Sequence, residues 1–152
     1  MSSQLLDALL REQTAIEAFI ALLEQEAAAM TDGDFKQLPA LAERKSELAE
    51  QIKALSQQRE QQQLALGYAQ GRGGADAACA AGGKTLQQAW HDLLASAAQA
   101  HHFNHRNGVM VHTHLEFTRQ TISFLQAGGE PLYGPDGTHK AGSAGGNRLA
   151  LG

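Results

Sequence analysis

Histidine is the reactive residue type that this sequence carries in excess. His101, His105 and His112 fall within about 40° of one another on a helical projection, and His101 with His105 has the i, i+4 spacing that can hold a metal ion. No carboxylate or cysteine joins them on that face, and the HExxH arrangement is absent. We therefore expect no metal site. A pH-sensitive surface and plain solvent-exposed histidines both stay open as readings.

Other chemistry finds little support in the sequence. Cys79 lies in a glycine-alanine stretch, expected to be a flexible loop, with no base nearby in sequence to activate it. That stretch resembles a phosphate loop only superficially, because no strand precedes it and GxxxxGK[ST] is not met. No pair of carboxylates sits on an otherwise apolar face. We expect no enzymatic activity and no cofactor.

Composition narrows the class of protein further. The chain has 152 residues, which suits one domain, and a formal net charge of -4 without a basic cluster, so neither nucleic acid nor an anionic membrane is indicated as a partner. A single cysteine cannot form an internal disulfide, which fits a reducing compartment. The N-terminal leucines are interrupted early by charged residues, and no uncharged apolar run reaches membrane-spanning length. We therefore expect a cytoplasmic protein.

The hydrophobic periodicity is helical throughout, with no alternating β-branched segment. Three- and four-residue spacing predicts helices over about residues 3–30, 35–67 and 86–125. The glycine-alanine stretch 67–84 is expected to be a loop, in which a short helical piece over 75–81 stays open although the flanking glycines make it a poor nucleus. Residues 127–152 are expected to be a flexible tail. The prediction is an all-α, elongated, three-helix antiparallel bundle over residues 1–126, followed by the tail.

Several local features support these bounds. Gly33 suits the left-handed position that ends a first helix, and Asp34 with Gln37 reads as a capping box for the second. Pro39 suggests that the second helix starts nearer Leu38. Lys45 is expected to extend along its helix toward solvent. The polar run 57–63 is expected to be a solvated helix face.

The third predicted helix carries two rows of side chains. The first row has three-four spacing and is expected to be core; it comprises Leu86, Trp90, Leu93, Ala97, Ala100, Asn104, Asn107, Val111, Leu115, Thr118, Ile122 and Leu125. The second row has strict heptad spacing and lies about 90 to 150° further round; it comprises Phe103, Met110, Phe117 and Phe124. One face cannot hold both rows, so something should cover the second.

Two explanations for the second row stay open. Another helix of the chain, or a second copy in a homodimer, would make it ordinary core. Alternatively, it forms the wall of a groove for an amphipathic segment of a partner protein. Asn104, Asn107 and Gly108 interrupt the first row and suggest register-setting polar residues with a close helix crossing at Gly108.

The order of these motifs resembles the FlgN family of bacterial flagellar export chaperones over most of the chain. The resemblance rests on a leucine-rich first helix, Gly33-Asp34-Phe35 followed by Leu38, Leu41 and Lys45, a glutamine-rich second helix, N-x-x-N-G at 104–108, and L-Y-G-x-x-G at 132–137. The resemblance implies a small cytoplasmic helical chaperone. Such proteins bind the C-terminal segment of hook-filament junction proteins, prevent their premature assembly, and escort them to the membrane export gate of the flagellar type III apparatus.

Carried over to this sequence, the resemblance gives the third helix the cargo surface and Tyr133 the export-gate contact. The second row supplies the candidate cargo residues Phe103, Met110, Phe117 and Phe124. The alternative from another class is a structural coiled-coil protein that self-associates through the second row. A metal-binding helical protein that uses the three histidines is a third hypothesis.

Overall fold

A computed structural model of the protein describes the backbone of residues 2–133 and the side chains of residues 3–127. This part of the chain is helical and contains no strand, so the predicted all-α class is confirmed. The elements are α1 (Ser2–Thr31), a 3-10 turn (Phe35–Gln37), α2 (Leu38–Ala65), α3 (Gly71–Ala81) and α4 (Lys84–Tyr133). The third predicted helix was expected to end at residue 125, but α4 continues to Tyr133, so the prediction of a tail was wrong for residues 127–133. The remaining tail residues, 134–152, lie outside the described residues.

The connection between α1 and α2 follows from its glycine and its proline. Gly33 has φ +73°, and the next amide, that of Asp34, donates to the carbonyl of Ala29 at 2.8 Å, which closes the end of α1 in a Schellman motif. The predicted capping box does not form, because the Asp34 carboxylate accepts a hydrogen bond from the Gln37 side chain instead of from a backbone amide. Pro39 lies in the first turn of α2, where its missing N–H is not needed.

Side-chain pairs fix the directions of the helices within residues 1–107. Glu12 pairs with Arg59, and Glu26 pairs with Lys45, so α2 runs antiparallel to α1. Gln13 donates to Ser96, whereas Asn107, further along α4, donates to the carbonyl of Leu23, further along α1. This part of α4 therefore runs parallel to α1, as an up-down-up arrangement requires.

The stretch 67–84, predicted to be a loop, contains the fourth helix, α3, so the prediction of three helices was wrong. Glycine-rich sequence is a poor helix nucleus, but tertiary packing stabilises a helix more than propensity does. One side of α3 is buried, through Gly74, Ala75, Ala78 and Cys79. A Cβ on Gly74 would lie 1.7 Å from the backbone oxygen of Ala69, so the close approach at that position requires glycine.

The core joins three of the four α-helices. Its buried members are Leu5, Leu9, Ile16, Ala75, Ala78, Cys79, Leu86, Ala89, Trp90, Leu93 and Ala100. The apolar spacing of α1 and of the first half of α4 is thus explained by burial. A smaller cluster of Leu22, Ala29 and Leu41 joins α1 to the start of α2.

The chain divides into two compact units, Met1–Asn107 and Gly108–Gly152. The first unit contains α1, α2, α3 and the first part of α4, and holds the core. The described part of the second unit is the rest of α4, to Tyr133. No helix among the described residues is long and apolar enough to cross a membrane.

Candidate protein-binding surface

Within its described side chains, those of residues 108–127, the second unit exposes most of its large apolar residues. Leu115, Phe117, Ile122, Phe124 and Leu125 are between 47% and 75% exposed, the two phenylalanines most of all. Met110 and Val111 are half-buried. The expectation that the first row is core throughout is therefore wrong. Leu115, Ile122 and Leu125 are open to solvent after Asn107. Ala97 and Asn104 are also exposed, before it.

This apolar side covers about half of the helix circumference. At about 100° per residue, the arc from Phe124 through Met110 and Leu125 to Leu115 spans about 180°. A surface helix usually buries an apolar stripe of about 100°. The second unit therefore presents more apolar surface than one ordinary helix contact covers, which is typical of a site for another protein.

The opposite side of this helix segment is mostly polar, with Val109 as an exposed apolar exception, and it is electrically neutral. Glu116 and Arg119 are the two formally charged residues between positions 108 and 127, and they form an exposed ion pair at 3.4 Å with each other. His112 is exposed on the same side. Residues 108–127 therefore carry no net formal charge, and their two charged side chains lie away from the apolar side.

Phe103, the first residue of the second row, lies in the first unit and has a different environment. It is half-buried, and the guanidinium of Arg106 lies over its ring, 4.5 Å from the centroid. Arg106 is itself held by two hydrogen bonds to Oδ1 of Asn107, at 3.1 and 3.0 Å. The structure thus places Met110, Phe117 and Phe124 together on one unit and leaves Phe103 in the other.

Asn107 is fully buried and anchors α4 to α1. Its side-chain amide donates to the Leu23 carbonyl at 2.7 Å and to Oε1 of Glu26 at 3.0 Å. Lys45 reaches the same Glu26 oxygen at 3.1 Å, so it forms a partly buried ion pair rather than extending freely to solvent. Asn107 therefore has the buried position and the cross-helix hydrogen bonds that a register-setting polar residue needs.

The other two polar interruptions do not behave as expected. Asn104 is exposed. Gly108 has no heavy atom within 4 Å of an added Cβ, so the predicted close helix crossing at this residue was wrong. A spacing pattern could identify the glycine but could not show whether a neighbour approaches it.

A second buried polar network was missed by the sequence reasoning. Within the run 57–63, Arg59 and Gln63 are buried, so the prediction of a solvated face was wrong there. Nε of Arg59 donates to Glu12 at 2.6 Å, Nη1 donates to Gln63 at 2.6 Å, and the guanidinium lies 5.2 Å from the centroid of the Trp90 ring. This network links α1, α2 and α4.

Gln63 extends the network to the start of α3. Its side-chain amide donates to the carbonyls of Ala69 at 2.8 Å and Gly71 at 3.1 Å, while Glu60 accepts from the Gly71 amide at 2.8 Å. These bonds fix the turn that precedes α3. In the sequence, Glu12 and Gln13 interrupt the three-four apolar spacing of the first helix. This interruption was the one available signal that a buried polar partner exists.

The three histidines and the cysteine that were considered for chemistry form no reactive site among the described residues. His101, His105 and His112 are all exposed, and no group of three potential metal ligands occurs among the described residues. Cys79 is buried on α3 rather than in a flexible loop, and burial raises the pKa of its thiol, against a smaller lowering by the charge of Arg59. A protonated, buried thiol is a poor nucleophile.

Tyr133, predicted to contact the export gate, is the last helical residue of α4, and its side chain lies outside the described residues.

An all-helical chain with one broad apolar helix face exposed is typical of a protein that binds other proteins through helix packing. A family model described as FlgN protein matches residues 1–141 of this chain. The chain therefore belongs to the FlgN family, as the resemblance indicated, and membership of this family suggests a flagellar export chaperone. No curated protein and no solved structure matches it.

Proposed function

We propose that this protein is a cytoplasmic flagellar type III export chaperone that binds the C-terminal segment of hook-filament junction proteins. In this role it prevents their premature assembly and escorts them to the membrane export gate. The observation that carries the proposal is the exposed apolar side of residues 108–127, in a chain that belongs to the FlgN family. The protein acts by binding alone, without a cofactor or a catalytic step.

The cargo contact is assigned to Met110, Phe117 and Phe124. Phe117 and Phe124 are 66% and 75% exposed, and large exposed aromatic side chains are the residues that dominate binding energy when a partner covers them. A junction-protein segment that is disordered or partly helical when free would pack its apolar face on this row and become ordered. Participation of Phe103, which lies in the first unit, stays a prediction from its heptad spacing.

The cargo assignment is tested by titration calorimetry of the full chain with the C-terminal segment of a junction protein from the same organism. We expect saturable binding with a negative heat-capacity change, because apolar surface is buried. Phe117→Asp should weaken this binding by at least about a hundredfold, in the range of an interface hot spot, and should leave the helical circular dichroism unchanged. Loss of helicity would show that Phe117 belongs to a core.

The chain offers a matched control for that variant. His112→Asp introduces the same carboxylate on the polar side of the same helix segment, about 140° from Phe117. It should bind the junction-protein segment as the wild type does. Equal loss in both variants would mean that added negative charge, and not removal of the aromatic ring, disrupts binding.

The export-gate contact is assigned to Tyr133, on the family resemblance alone. Tyr133→Ala should keep the affinity for the junction-protein segment and reduce secretion of junction proteins by cells that carry it. Affinity is measured by calorimetry and secretion by the amount of junction protein in the culture medium. Unchanged secretion would remove Tyr133 from the proposal.

The alternative is a structural protein that self-associates through the second row. The same exposed side chains favour it, because an uncovered apolar row can pair with a second copy. Sedimentation equilibrium separates the two functions. A dimer that Phe117→Asp dissociates, in a protein that binds no junction-protein segment, would replace the chaperone proposal by this one.

A further inference from the structure

The second unit carries two separate apolar seams, and each has the spacing of a helix-packing surface. Met110, Phe117 and Phe124 repeat every seven residues. The first-row members of this unit repeat with spacing 4, 3, 4 and 3, which is the a/d pattern of a complete heptad seam; they are Val111, Leu115, Thr118, Ile122 and Leu125. Both seams include side chains that are at least 47% exposed.

The angle between the seams decides how many helices they can accept. His114 and Thr121 complete the heptad seam of the second row, since they follow Met110 and Phe117 by four residues. The centre of that seam and the centre of the a/d seam lie about 100° apart on the helix. One packed helix covers a stripe of about 100°. Two seams separated by about that angle therefore require two helices, as for a helix at one corner of a four-helix bundle.

The area of the second row is too small for a specific interface by itself. A buried aromatic side chain contributes roughly 150 to 250 Å², so the exposed parts of Phe117 and Phe124 offer about 200 to 350 Å² together. A stable, specific interface buries about 800 Å² on each partner. The exposed first-row side chains Leu115, Ile122 and Leu125 extend the available apolar surface toward that size.

Two other occupants fit this surface less well. A two-fold dimer pairs the same patch on both copies, so one pairing of this segment with itself covers one seam and leaves the other in water. The chain's own residues 134–152 include two large apolar residues, Leu149 and Leu151, which are too few to cover both seams. A partner that contributes two apolar helices covers both.

We propose that residues 108–127 bind two neighbouring helices of one partner chain, a helical hairpin, with one helix on Met110, Phe117 and Phe124 and the other on Leu115, Ile122 and Leu125. This inference rests on the proposed function and specifies the form in which the junction-protein segment is bound. The partner helices carry apolar seams with little charge, because Glu116 and Arg119 pair with each other and offer no free charge to attract an ionic partner.

The test compares one variant in each seam with the control on the polar side. Wild type, Phe117→Asp, Ile122→Asp and His112→Asp are titrated with a junction-protein C-terminal segment that is long enough to contain two helices. We expect 1:1 binding, a loss in affinity of at least about a hundredfold for Phe117→Asp and at least about tenfold for Ile122→Asp, and no change for His112→Asp. Synthetic peptides of either helix alone should bind at least tenfold more weakly than the intact segment.

Each contrary outcome has a distinct meaning. If Ile122→Asp binds the segment as the control does, while Phe117→Asp does not, one helix is bound; the hairpin inference then fails and the chaperone proposal stands. If Ile122→Asp turns a dimer into a monomer without affecting affinity, a second copy covers the a/d seam, and the inference also fails. If wild type does not bind the segment, the proposed function itself fails.

Folding of the variants is checked by circular dichroism before titration. Should Ile122→Asp lose helicity, Leu115→Asp replaces it, because Leu115 lies in the same seam and is also exposed. Loss of helicity in both would show that the a/d seam is needed for folding, which would overturn the inference.

Discussion

The two parts of α4, one in each unit, differ in how far their apolar side chains are buried. Up to Asn107, α4 buries the large apolar members of its first row. Leu86, Trp90 and Leu93 are at most 6% exposed, whereas the small or polar members Ala97 and Asn104 are exposed. From Gly108 onward, the same spacing pattern continues, yet Leu115, Ile122 and Leu125 are open to water. Apolar periodicity therefore shows that a helix face is suited to packing, but not whether its partner belongs to the same chain.

The two units also differ in where their paired polar side chains lie. The first unit contains buried polar side chains that are matched to one another, such as Glu12 with Arg59 and Asn107 with Glu26. The second unit has its ion pair, Glu116 with Arg119, on the surface. Buried matched pairs specify one arrangement of helices, whereas a surface pair contributes little to stability. Among the described residues, the matched buried polar pairs thus lie in the first unit, whereas the ion pair of the second unit lies on the surface.

The largest effect on stability is expected from Arg59→Met. This change leaves the Glu12 carboxylate buried without its partner, which typically costs about 3–5 kcal/mol. Urea denaturation should show the loss as a lower midpoint. The double variant Glu12→Leu/Arg59→Met should recover most of it, because neither buried charge remains. A single variant as stable as wild type would mean that the buried ion pair is not formed in solution.

A pair of truncations on α4 compares the two units directly. Leu93→Ala removes a buried side chain from the core and should cost about 2–5 kcal/mol. Leu125→Ala removes a side chain that is 63% exposed, and should change the free energy of unfolding by less than about 0.5 kcal/mol. Both are measured by urea denaturation. Equal losses would show that the second unit is packed as a core in solution, and the contrast between the units would fail.

The smallest effect is expected from Gly108→Ala. No atom lies within 4 Å of the added Cβ, and alanine is favoured over glycine within a helix by about 1 kcal/mol. Thermal denaturation should therefore show a modest rise in Tm. A lower Tm would indicate a neighbour close to Gly108, as the sequence alone had suggested.

The sequence was sufficient for the all-α fold class, because this depends on local spacing, and for end signals such as Gly33 and Pro39, which lie at the end of α1 and the start of α2. It failed at α3, whose stability comes from burial of Ala75 and Ala78 and from hydrogen bonds to Gln63, none of which is a local property. It also failed at Arg59, since a polar run contains no sign of which member faces a buried carboxylate.

For the candidate site, the sequence identified the residues of the second row but could not determine their environment. Phe103 and Phe117 have the same heptad position, yet Phe103 lies under Arg106 while Phe117 is 66% exposed. The first row was assigned to the core on its spacing, which is the same in both units. Only the three-dimensional arrangement separates its buried members from its exposed members.

The central claim, that the second unit is the surface a partner covers, is tested most directly by amide hydrogen exchange with and without a junction-protein C-terminal segment. The account predicts that amides in residues 108–127 gain strong protection on binding, while those around Leu5, Leu9 and Leu93 are already protected and change little. Protection gained only within residues 1–107, or no change anywhere at saturating segment, would contradict it.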